Sequence, residues 1–169
     1  MQYEGDVYRP PSEARSLIIQ VTIGCAHNTC TFCNMYKQKE FRIRSKKEIL
    51  AELREVADSP YREFFDRVFF ADGDAMWSPT EMLLRLHKPV HDWFPRAERV
   101  TAYATAMDVI RKTDEELLLL RNAGLRMVYM GVESGDAGIL QYIHKNCTPQ
   151  EYICAAEKLH KAEIGRAHV

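Results

Sequence analysis

Three of the five cysteines fall within one stretch of nine residues, Cys25-Ala26-His27-Asn28-Thr29-Cys30-Thr31-Phe32-Cys33. Thiolates supplied together by a short loop are metal ligands, and their number is informative. A purely structural zinc or iron-sulfur site usually takes four protein ligands, whereas three leave one metal position open to a substrate or cofactor. His27 would complete a four-ligand zinc site, although adjacent loop residues seldom all point inward and no second paired-cysteine segment lies nearby. Cys147 and Cys154 stand far along the chain and read as buried or incidental thiols.

Two further segments carry polar groups suited to a ligand. Asp72-Gly73-Asp74-Ala75 follows an apolar run and offers carboxylates beside a flexible backbone; taken alone, it is an ordinary turn. Gly131-Val132-Glu133-Ser134-Gly135 follows another, and pairs a carboxylate with a hydroxyl. Its plain structural reading makes Ser134 a helix N-cap and Glu133 a solvated charge. Thr105, Met107 and Asp108 follow a third run without diagnostic spacing.

What must position these loops is a series of strands. Leu17 to Ile23, Arg67 to Ala71, Arg99 to Ala104 and Arg126 to Gly131 are short, apolar and rich in β-branched or aromatic residues. Helices follow them. Ser45-Lys46-Lys47-Glu48 predicts a capping box and a helix to about Asp58; Thr113-Asp114-Glu115-Glu116 predicts another, stopped at Gly124. Ser78-Pro79-Thr80-Glu81 predicts a third box, on a helix that Pro89 should kink or end. A short helix is expected near Ala137 to His144, and Thr148-Pro149-Gln150-Glu151 caps a last one. Strands alternating with helices give an α/β fold on a parallel sheet, whose post-strand loops share one edge where ligands bind.

Composition sets the class. With 46% hydrophobic and 28% charged residues among 169, the chain has the balance of a globular protein with a real core. A net charge of -1 leaves no electrostatic footprint for nucleic acid. No run is long and apolar enough to span a membrane and the first residues lack a signal peptide's apolar centre, which predicts a cytoplasmic protein with reduced thiols.

The cysteine loop resembles that of the radical S-adenosylmethionine (SAM) superfamily, whose signature is C-x3-C-x2-C after the first strand of a partial (β/α) barrel. Here the spacing is C-x4-C-x2-C, and the phrase Gly24 to Tyr36 is similar to stand-alone members and to the coproporphyrinogen-oxidase and methylthiotransferase branches. One extra residue adds only roughly 0.2 kcal/mol of loop-closure entropy. The resemblance implies that Cys25, Cys30 and Cys33 hold a 4Fe-4S cluster whose remaining iron binds S-adenosylmethionine. It also implies that Phe32 packs near the adenine, that Gly73 and Asp74 receive the methionine ammonium, and that Glu133 and Ser134 meet the ribose and methionine. It implies reductive cleavage to a 5'-deoxyadenosyl radical that abstracts hydrogen from an unspecified substrate, driven by an external one-electron reductant of flavodoxin or ferredoxin type. The competing expectations are a zinc module using His27 and a non-catalytic iron-sulfur protein.

By this reading residues 1–16 are an N-terminal extension and 17–162 an incomplete core, truncated after about four βα units. Residues 163–169 look like the translation of a sequencing-library adapter and would be non-native, leaving the fourth strand as an open edge.

Overall fold

A computed structural model of the chain describes residues 2–168, so that Met1 and Val169, the ends of the expected extension and tail, lie outside the described residues. The first apolar run divides into two elements. β1 (Leu17–Gln20) joins the main sheet, while β2 (Thr22–Ile23) turns away to pair antiparallel with β3 (Arg42–Ile43). α1 (Lys46–Ala57) follows with the expected capping box at Ser45. β4 (Arg67–Ala71) then leads to α2 (Thr80–Trp93), β5 (Arg99–Tyr103), α3 (Ala106–Arg111) and α4 (Asp114–Asn122). β6 (Leu125–Met130), α5 (Ala137–Tyr142), α6 (Pro149–Lys161) and β7 (Gly165–His168) complete the chain.

The main sheet is parallel in the order β1-β4-β5-β6-β7. Alternate residues serve its two faces, as the two-residue period of a strand requires. Leu17, Ile19, Val68, Phe70, Val128 and Met130 join the large core beneath the helices. Ile18, Phe69, Ala71 and Tyr129 form a smaller cluster on the opposite face, where Val7 of the N-terminal segment packs. That segment is tied down by polar contacts: the Tyr3 hydroxyl donates to the Ile18 carbonyl, and the Tyr129 hydroxyl donates to the buried Glu13 at 2.6 Å.

Four expectations change. The box at Ser78 does not form; Pro79 occupies the cap position and no side chain caps α2. Pro89 neither ends nor interrupts that helix, but lies inside it. The loop after β5 contains α3, capped reciprocally by Thr105 and Asp108. Finally, β6 is not an edge, because Gly165–His168, read from sequence as part of a tail, pair with Met127–Met130.

Candidate cofactor site

The cysteine loop is anchored to the end of β4 by a buried carboxylate. Asp72 accepts from Gln20 Nε2 at 3.2 Å, from the Gly24 N–H at 3.1 Å and from Lys39 Nζ at 2.8 Å. One side chain thus fixes the end of β1 and both flanks of the loop, with the Lys39 ammonium balancing its charge. On its far side the loop rests on the segment after α5: the Thr31 N–H donates to the Ile143 carbonyl, and His27 Nε2 lies 2.6 Å from the His144 carbonyl oxygen. The Ala26 N–H donates to Asp74 Oδ2 at 2.5 Å, whereas Asp74 Oδ1 is buried without a partner.

These contacts enclose a cavity of about 530 Å³ at the carboxyl ends of the strands. Cys25, Cys30, Cys33, Phe32, Gly73, Asp74 and Glu133 all line it, together with Thr105 and Met107. Ser134 does not; its hydroxyl accepts from the Asp136 N–H, and Asp136 rather than Ser134 caps α5. Asp108 sits beneath the wall, 1% exposed. Among the described residues no three His, Cys, Asp or Glu side chains stand close enough to hold a metal ion, so the three thiols share one wall without a closed ligand set.

The wall also contains residues that sequence reasoning did not single out. Lys145 pairs with Glu133 at 3.0 Å and lies 5.8 Å from the centre of the Phe32 ring. Cys147, set aside as an isolated thiol, lines the cavity too. Trp77, Arg111 and the buried Tyr36 also line it. The only signal for them was that they lie in or soon after the loops that follow strands.

Burial governs the protonation of this wall. It pushes the Cys25 thiol up to about 12, helped by the Asp74 carboxylate beside it, and raises Cys30 against the opposing pull of Lys145. Asp74 is raised by burial despite the Ala26 N–H, and Asp108 is pushed up to about 7 by burial and then by Asp74. Such thiols lose their protons when positive charge arrives to replace them.

The profile described as Radical SAM superfamily matches residues 19–169. The chain belongs to the radical SAM superfamily. No curated protein matches it by sequence. Solved radical SAM enzymes share its fold. The cobalamin-dependent S-adenosylmethionine radical enzyme OxsB, with aqua-cobalamin bound, superposes with a TM-score of 0.70 at 20% identity, over 90% of this chain and 23% of its own. TsrM from Kitasatospora setae, a radical S-adenosylmethionine methyltransferase bound to cobalamin and a 4Fe-4S cluster, gives 0.66 at 16% identity, over 89% and 30%. Coproporphyrinogen III oxidase (HemN) from Escherichia coli gives 0.59 at 15% identity, over 88% and 36%. The chain thus spans between 23% and 36% of the length of these enzymes, and at these identities the likeness establishes the fold, a partial radical SAM barrel. Among the described residues no helix is long and apolar enough to cross a membrane.

The residues of the wall suit the superfamily's cofactors. A Cβ on Gly73 would stand 2.8 Å from a Tyr36 ring carbon and 3.1 Å from Cys25 Cβ, so only glycine fits between the thiol loop and the cavity. Asp74 Oδ1 is a buried acceptor still in want of a donor, and three thiols are the donor set a cluster with one open iron needs.

Proposed function

We propose that this chain binds a 4Fe-4S cluster through Cys25, Cys30 and Cys33 and S-adenosylmethionine beside it, and that it initiates radical reactions on a substrate. The observation that carries this reading is the convergence of those three thiols with Gly73, Asp74 and Glu133 on one cavity of a radical SAM fold. When bound and reduced, the cluster and S-adenosylmethionine supply a 5'-deoxyadenosyl radical that abstracts hydrogen.

The chain's own residues hold and shield those groups. Gly73 presents its backbone where any side chain would collide, and Asp74 offers Oδ1 to an ammonium. Glu133, with its backbone in the left-handed region at φ 63°, turns its carboxylate towards Lys145 and is placed to accept from ribose hydroxyls. Phe32, half exposed on the rim, supplies an apolar face for an adenine. Electrons come from an external one-electron reductant of flavodoxin or ferredoxin type.

Anaerobic reconstitution with iron and sulfide is expected to give a brown protein that, once reduced, converts S-adenosylmethionine to 5'-deoxyadenosine. Cys30→Ala is expected to abolish both the colour and the product. A colourless protein that retains zinc would replace this reading with a zinc module on the same cysteines and His27.

A further inference from the structure

Arg111, at the last turn of α3, is placed differently from every other charged group around the cavity. Its guanidinium lies 3.8 Å from the centre of the Trp77 ring, and no hydrogen bond or ion pair joins it to another described residue. The wall's side-chain ammonium, Lys145, is held by Glu133, the imidazole of His27 meets the His144 carbonyl, and Asp74, with one oxygen on the Ala26 N–H and the other unpartnered, offers only acceptors. Trp77 is itself braced by Phe41, the two rings meeting in a T-shaped contact with centres 6.1 Å apart and 86° between their planes.

A guanidinium stacked on an aromatic face keeps its N–H edges free and in a fixed plane. It is thereby pre-organised for two parallel hydrogen bonds to a carboxylate or phosphate. The loops that bring it there follow β4 and β5, whereas Phe32, Cys30 and Lys145 belong to the wall built where the cysteine loop rests on the segment after α5. We propose that the Arg111–Trp77 pair is an anion-binding subsite of the cavity that receives the carboxylate or phosphate group of the substrate. The assignment of that anion to a substrate rests on the function proposed above; the subsite itself does not.

The test uses the metal-free chain carrying Trp93→Phe, so that Trp77 is the sole tryptophan, titrated with inorganic phosphate and separately with citrate. At least one is expected to change Trp77 emission saturably. Arg111→Gln is expected to weaken that binding by at least about tenfold, as loss of a charge-assisted pair does, with Arg111→Lys in between. Absence of saturable binding by either anion, or equal binding by Arg111→Gln, overturns the subsite. A second titration, of S-adenosylmethionine into the reconstituted chain, separates the two sources of a carboxylate. Affinity unchanged in Arg111→Gln supports the substrate as the source, whereas a tenfold loss means that the guanidinium holds the cofactor's own carboxylate and overturns that assignment. Because the anion titration needs neither cluster nor cofactor, its failure is distinct from failure of the radical SAM reading.

Discussion

Asp72 and Asp74 stand two residues apart, and burial gives them opposite tasks. Asp72 fills its acceptor capacity with Gln20, Gly24 and Lys39 and fastens the loop, whereas Asp74 keeps one oxygen free beside the cavity. The sequence showed two carboxylates flanking a glycine after a strand, but a repeat of one residue type cannot say which has internal donors waiting. The cysteines were legible because their spacing confines them to one loop. Lys145, Cys147 and Arg111 were not, since their places depend on how loops distant in sequence fold against each other. Gly73 gives the sharpest prediction at this scale. In Gly73→Ala the new Cβ must displace the Tyr36 ring and Cys25 together. The expected cost is about 1–3 kcal/mol of stability by overpacking, with a more than tenfold loss of S-adenosylmethionine affinity in the reconstituted protein. Urea unfolding and a binding titration check both; an unchanged affinity would remove Gly73 from the site.

At the scale of elements, local chemistry was readable wherever one turn decides the outcome. Ser45 and Glu48 exchange hydrogen bonds at the start of α1 at 3.3 and 3.1 Å, as their spacing demands. Ser78 and Glu81 have the same spacing and do nothing of the kind, because Pro79 takes the cap position and the Ser78 hydroxyl is buried without a partner. Tertiary packing overrode the motif there, as it did at Pro89, which α2 absorbs while Leu83, Leu86 and Val90 remain in the core. β2 was read as a continuation of β1 and β3 went unseen, because two-residue strands have no period of their own to read. The two serines make a paired experiment. Ser45→Ala is expected to destabilise the chain by about 1 kcal/mol, while Ser78→Ala is neutral or slightly stabilising because it removes an unsatisfied buried hydroxyl. Equal losses in chemical denaturation would show that Ser78 does cap α2.

Across the whole molecule, two buried ionisable groups on different elements meet only through global unfolding. His87 packs on α2 with its Nδ1–H donating to the Leu83 carbonyl at 2.8 Å, its Nε2 unpartnered and its ring 5.2 Å from that of Phe70. Burial pushes it from 6.5 down to about 4, so the unfolded chain binds the proton first. Its contribution is complete above pH 6.5 and is lost as pH falls through 4. Asp108, raised by burial from 3.8 to about 7, has the opposite sign: its contribution is complete below pH 3.8 and is lost as pH rises through 7. Between pH 4 and 6.5 the two slopes oppose each other, each at most about 1.4 kcal/mol per pH unit, and their effects on the parent protein cancel. Removing either group uncovers the other. Relative to the parent, the unfolding free energy of His87→Leu is expected to fall more steeply with rising pH across that window, and that of Asp108→Asn to rise, by up to about 3 kcal/mol over its span. Urea unfolding at pH 4.5, 5.5 and 6.5 measures both, and two variants with slopes equal to the parent's would show that neither group is held in the state its burial dictates.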